Sequence, residues 1–127
     1  MYLYLAIFIG GGLGSLARFA AGRIARVYLP HAYFPVGTFL ANMGSIILFA
    51  LVFSWLQKQE VNLSAETWRA ALLVGFCGGF STFSTFSFET FELWKNGHMP
   101  WAIANIVVSV GVGVGLFILL LKNYSTA

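Results

Sequence analysis

Residues 75–89 read GFCGGFSTFSTFSFE, and the fold turns on what this stretch is. Five hydroxyl residues (Ser81, Thr82, Ser84, Thr85 and Ser87) stand among four phenylalanines, directly behind the pair Gly78 and Gly79. The apolar flanks ask for a membrane helix; the glycine pair is a candidate break in one, because glycine adopts backbone conformations that other residues avoid. A break there would give the following half-helix its own N-terminus at membrane depth, with free N–H groups. Backbone of that kind is tolerated in a bilayer only when buried in protein or lining an aqueous cavity. The hydroxyls then have a reason to be present. Ser81, Ser84 and Ser87 recur every third residue, as do Phe80, Phe83 and Phe86, so the spacing predicts hydroxyl and phenyl ladders side by side. The simpler reading, Ser and Thr back-bonding to carbonyls one turn earlier, accounts for one or two such residues more readily than for five.

The rest of the chain agrees with a membrane setting. Its 127 residues are 59% hydrophobic and include seven Lys or Arg and four acids, all Glu, too few charges for the surface of a soluble domain. A bilayer core of about 30 Å takes about 20 mostly apolar residues per helix. Four stretches qualify: about residues 2–22, 34–56, 69–94 and 100–121. The expected architecture is all-α, one four-helix transmembrane domain over residues 1–127, with the third helix broken at mid-membrane. The arginines follow the first apolar run instead of preceding it, so that run reads as a retained helix and not a secretory signal.

The formal charge of +3 comes from bases scattered at helix ends, which is interfacial anchoring and not a polybasic patch. Lys58, Arg69 and Lys122 fall on one side of the membrane; Arg23, Arg26 and Lys95, with Arg18 if it reaches out, fall on the other. Lys/Arg bias sets orientation. A chain so nearly balanced is expected to insert both ways up, and two copies can then pair antiparallel.

Polar residues inside the spans follow helical spacing. Gly11, Ser15 and Arg18 share a face of the first helix, and Arg18 either snorkels or faces a wet cavity. Gly10 and Gly14 have the spacing that lets membrane helices approach closely, as do Gly111 and Gly115 in the last. Thr38, Asn42 and Ser45 form one polar stripe on the second helix, with Asn42 deepest, either as interhelical glue or as part of a pathway. Asn105 and Ser109 add a modest polar face to the fourth. Ser64 and Thr67 suit an N-terminal cap for the third helix, with Glu66 in its first turn. Cys77 reads as a small packing residue. The fragment GLGSLA loosely matches a dinucleotide-binding glycine pattern, but no strand or βαβ unit surrounds it.

No nucleotide loop, metal cluster or catalytic triad appears, so the chain does not read as an enzyme. It offers hydrogen-bond donors instead: hydroxyls, amides, a guanidinium and freed N–H groups, which in a dry passage replace the water shell of an anion. An aromatic ring is positive at its edge, so a ring presented edge-on suits a small anion. One four-helix chain has little room for both a pore and a core, which points to a dimer.

The third-helix motif, with GTFLANMGS (residues 37–45) and GGGLGSLARF (residues 10–19), resembles the Fluc (CrcB) family of fluoride channels along the length of the chain. The resemblance implies passive export of fluoride across the bacterial inner membrane, an antiparallel homodimer with two pores, and a structural sodium ion at the dimer centre. Carried over by position, it implies that Phe83 and Phe86 present ring edges to fluoride, Asn42 lines the pore and Arg18 stands at a vestibule. Ser84 and Thr85, with Thr82, form a hydroxyl track, and Glu89 lies at an acidic position just beyond. Gly78 and Ser81 give backbone carbonyls to sodium, and Ser109 is the pore-facing residue of the last helix. The rival from another class is a small dual-topology, proton-coupled multidrug exporter, which needs a titratable acid deep in a span. The first helix has none; Glu89 is the one that could serve.

Overall fold

The computed structural model describes residues 1–124. The first helix runs Tyr2–Tyr28 and the second Val36–Leu56, entered behind Pro35. The third span is a composite, α-helical over Leu63–Trp68, π-helical over Arg69–Cys77 and α-helical again over Gly78–Phe80, followed after a break by Phe83–Lys95. The last helix is Met99–Leu120, with a proline in its first turn where the missing N–H is harmless. Among the described residues, four helices are long and apolar enough to cross a membrane, at Tyr2–Tyr28, Val36–Leu56, Leu63–Lys95 and Met99–Leu120.

Local chemistry sets the ends of the third span. Asn62, not Ser64 or Thr67, caps its start: the Asn62 side chain accepts a hydrogen bond from the Ala65 N–H at 2.9 Å. Thr67 instead donates back to the Leu63 carbonyl at 2.8 Å. The span therefore begins six residues earlier than expected. It stops at Gly97, whose φ of +81° only glycine adopts freely. There the His98 N–H reaches the Leu93 carbonyl at 2.8 Å and the Gly97 N–H the Trp94 carbonyl at 3.1 Å, a Schellman closure.

Apart from Met43 and Leu56, the buried apolar residues are small. Ala41, Ala50, Ala65, Ala70, Cys77 and Ala102 are buried, while leucines, isoleucines and phenylalanines over all four spans face outward. This inverts a soluble protein and suits a bilayer, where small interfacial residues let backbones approach. The first helix lies directly on the upstream arm of the third span: a Cβ at Gly10 would strike the Ala71 carbonyl, one at Gly14 the Phe76 carbonyl, and one at Gly79 the Gly11 carbonyl. Gly10 and Gly14 thus do what their spacing predicts. A Cβ at Gly111 or Gly115 meets nothing within 4 Å in this chain, whereas Gly113 packs on Ile46 and Met43.

The break is real, but Gly78 and Gly79 are not where it falls. Gly78 is helical (φ −64°, ψ −37°), and the chain turns extended at Ser81 (φ −76°, ψ 156°) and Thr82 (φ −151°, ψ 117°). Gly79 is needed for close approach to the first helix, not for a special conformation. The ladders are corrected with it. Ser81 lies in the break whereas Ser84 lies in the helix after it, and Phe80 pairs with Phe76 at 5.7 Å between centroids, apart from Phe83 and Phe86.

Candidate functional site

At the break, ordinary helical hydrogen bonding lapses and side chains from two other helices replace it. Asn42 grips the Thr82 peptide at both ends: its Oδ1 accepts from the Thr82 N–H at 2.7 Å and its Nδ2 donates to the Thr82 carbonyl at 3.3 Å. Ser45, one turn further on, donates to the Cys77 carbonyl at 2.9 Å, and the Ser81 hydroxyl donates to the same oxygen at 2.8 Å. Arg18 is engaged at the break. Its Nη1 donates to the Ser81 carbonyl at 3.3 Å, bringing the first helix to the break. The stripe Thr38, Asn42, Ser45 is thus a seam against the third span. Each of its members is engaged there.

Thr82 opens the downstream arm as its N-cap, accepting from the Thr85 N–H at 3.2 Å. Its hydroxyl also lies 3.1 Å from that of Thr85 and 3.3 Å from that of Ser84, so Thr82, Ser84 and Thr85 form a continuous hydroxyl cluster. Thr82 is buried, whereas Ser84 and Thr85 are exposed on this chain.

Beside the break lies a groove of about 260 Å³, open to the surface of the chain and lined by Asn42, Ser81, Thr82, Phe83, Phe86 and Ser109 among others. The Phe83 and Phe86 ring centroids are 6.0 Å apart with planes 37° off parallel. Phe83 is 80% exposed, so its ring fills no core position in this chain. Six of the residues singled out from the sequence therefore converge on one concavity, contributed by the second, third and fourth spans.

Glu89 is not among them. It sits two turns down the downstream arm, where its Oε1 accepts from the Thr38 hydroxyl at 2.8 Å while its Oε2 is buried without a partner. It lines a separate polar pocket of about 210 Å³ together with Arg26. Thr38, whose hydroxyl holds Glu89, was legible as part of the polar stripe but not as that carboxylate's partner.

Gly78 is exposed at the end of the upstream arm, and a Cβ there would meet no atom within 4 Å. The chain leaves the helix at Ser81, and the Thr82 N–H that would have closed on the Gly78 carbonyl goes to Asn42 instead. The Gly78 oxygen is thereby released from its helical partner. The Ser81 carbonyl takes one hydrogen bond, from Arg18, and keeps a second lone pair. Neutral carbonyl oxygens of this kind fit a hard cation. Among the described residues no cluster of three His, Cys, Asp or Glu side chains is placed to hold a metal.

Asn105 and Thr90 carry more than the sequence assigned them. The Asn105 Nδ2 donates to the Thr90 hydroxyl at 2.8 Å, Thr90 donates to the Phe86 carbonyl at 2.8 Å, and Ser109 donates to the Asn105 Oδ1 at 3.1 Å. The four-residue spacing of Asn105 and Ser109 was visible; nothing local marked Thr90.

A multi-pass membrane protein whose broken span gathers an amide, hydroxyls and aromatic rings at one groove, without a charged side chain among the residues that line it, has the make-up of an ion-conducting protein. The chain belongs to the CrcB family: the family model described as CrcB-like protein, Camphor Resistance (CrcB), matches residues 5–121. Its relatives include proteins named fluoride-specific ion channel FluC from Escherichia coli, Escherichia fergusonii and Shigella boydii. Each is 37% identical over 110 residues, which cover 87% of this chain and 84% of the relative.

Proposed function

We propose that this chain is a passive, fluoride-selective ion channel of the cell membrane, the inner membrane in a bacterium, and that it lets fluoride leave the cytoplasm and so protects against fluoride toxicity. The observation that carries the reading is the convergence of Asn42, Thr82, Phe83, Phe86 and Ser109 on one groove at the break. Neutral donors and ring edges replace the water around a small anion without the deep trap a lysine would make, and conduction requires binding weak enough to release. Direction needs no energy source. With the cytoplasm negative, outward movement of an anion is favoured by about 2.3 kcal/mol per charge per 100 mV.

The groove is open on one side, and a second copy of the chain is the occupant that closes it. The even distribution of Lys and Arg between the two faces favours an oppositely inserted copy, giving an antiparallel homodimer with two pores. The Gly78 and Ser81 carbonyls, two from each copy, would hold a sodium ion between the chains; its chemistry is to neutralise carbonyl dipoles brought face to face. For the dimer, the expected results are a C-terminal tag reactive from both sides of the membrane and a thermal midpoint raised by sodium but not by caesium. A tag reactive from one side only removes the antiparallel pairing.

Fluoride-electrode recording from proteoliposomes tests the function itself. The expected result is fluoride efflux under a potassium gradient with valinomycin, and chloride efflux at least about 100-fold slower, a gap of about 2.7 kcal/mol. The buried, half-partnered carboxylate of Glu89 is the one observation that favours the exporter reading. Efflux of a cationic drug that vanishes in Glu89→Gln, in vesicles that release no fluoride, would replace the channel by that transporter.

A further inference from the structure

Asn105 is 1% exposed, and with Leu56 it is one of the two largest side chains sealed completely inside the described chain. A carboxamide so placed in a membrane helix is unfavourable unless its polar atoms are matched. Both are, and the matching has a direction. Ser109 donates to Asn105, Asn105 to Thr90, and Thr90 to the Phe86 carbonyl. Every proton along this line points away from Ser109 and towards the downstream arm.

The groove is where this direction matters. Ser109 lines it together with Phe83 and Phe86, and a serine has one proton. While that proton lies on Asn105, Ser109 shows the groove lone pairs only, which repel an anion. An arriving anion must draw the proton off Asn105, breaking one hydrogen bond to make another. The lengths say which link yields. The two bonds to and from Thr90 are 2.8 Å, whereas Ser109 to Asn105 is 3.1 Å, beyond the usual range for O–H···O.

Resting on the channel reading above, we infer that Asn105 is a positioning residue that sets the depth of the anion site at Ser109. It keeps the serine proton in reserve and takes part of the binding energy back when the proton is given up. It also ties the last helix to the carbonyl of Phe86 through Thr90, so the serine and the ring keep one register. The anion meets a shallow site that fills and empties quickly.

The test is initial fluoride efflux from proteoliposomes over a series of fluoride concentrations, for the full chain and two substitutions. Asn105→Leu keeps size and removes the competing acceptor. The half-saturating fluoride concentration is expected to fall about fivefold, the equivalent of one hydrogen bond, with a lower maximal rate because exit slows. Ser109→Ala in the parent is expected to raise half-saturation about twofold, since the parent serine contributes only the difference between two bonds. In the Asn105→Leu background the same change is expected to raise it about tenfold. An Asn105 that is merely helix glue would lower the amount of active channel with half-saturation unmoved, and Ser109→Ala would act equally in both backgrounds; that result overturns the inference. Should Asn105→Leu fail to fold, Ser109→Ala alone decides, because an unchanged half-saturation means the serine proton never reaches the anion. A parent chain without fluoride flux overturns the channel reading and this inference together, whereas a conducting parent with unmoved half-saturations overturns this inference alone.

Discussion

Phe83→Ile and Phe86→Ile are each expected to slow fluoride efflux by about 10- to 150-fold while leaving the chain folded. That range corresponds to losing one charge-assisted contact of about 1.5–3 kcal/mol. Isoleucine keeps an apolar side chain of moderate size but has no ring quadrupole, so the positive edge that the proposed pathway would offer an anion is lost. Phe83 permits the cleaner experiment. At 80% exposure its ring supports nothing inside the chain, and truncating it leaves no cavity whose collapse could be mistaken for a loss of function. Phe86 is half-buried, so its substitution is also expected to lower stability modestly, by about 1 kcal/mol. Efflux per amount of folded protein is therefore the quantity to compare. Rates within about threefold of the parent for both variants would leave the rings as lipid or subunit packing, and the groove would need another source of selectivity.

These expectations depend on where the break lies, which the sequence reported only in part. The four spans were legible because twenty-residue apolar runs have few other uses, although the first extends to Tyr28 where charge implied an end near Gly22. Arg23 and Arg26 continue that helix beyond the apolar stretch, and Arg26 lines the polar pocket beside Glu89. That the third span is interrupted was also legible. Its position was not, because local spacing shows only the glycine pair, and glycine has two uses. Here its use is proximity: Gly79 lets the Gly11 carbonyl approach. What holds the break three residues beyond Gly79 is Asn42, forty positions upstream, which takes over the hydrogen bonds of the Thr82 peptide. A contact of that range leaves no periodic trace. The π-helical winding of Arg69–Cys77 is likewise unsigned in its residues, which apart from Gly75 read as an ordinary apolar helix. Of the site, the residues nearest the break were the easiest to find, since polar groups in an apolar span need a reason. Thr90 was missed because a threonine at the end of a hydroxyl-rich run looks like one more back-bonding side chain, and it is one; its second partner, Asn105, lies on another helix.

Gly14→Ala is expected to destabilise the protein by about 3 kcal/mol or more, whereas Gly12→Ala, two residues away on the same helix, is expected to be neutral or slightly stabilising. The contrast follows from which face each glycine presents. A methyl group at Gly14 would overlap the Phe76 carbonyl and come within 2.8 Å of the Phe80 nitrogen, whereas at Gly12 it would meet nothing within 4 Å. The overlapped atoms are backbone, so no rotamer change relieves the contact and the two helices must separate. Separation there reaches the site directly, because Phe80 is the last helical residue before the break and Arg18, one turn beyond Gly14, holds the Ser81 carbonyl. Thermal unfolding in detergent, followed by size-exclusion recovery, measures the first effect; fluoride efflux per amount of recovered protein measures the second. Gly14→Ala should lower the midpoint by several degrees and reduce efflux even in the fraction that folds, and Gly12→Ala should change neither. Equal midpoints for the two variants would mean that the first helix does not lie on the third span as closely as a glycine permits, and the break would then lose the support that Arg18 brings to it.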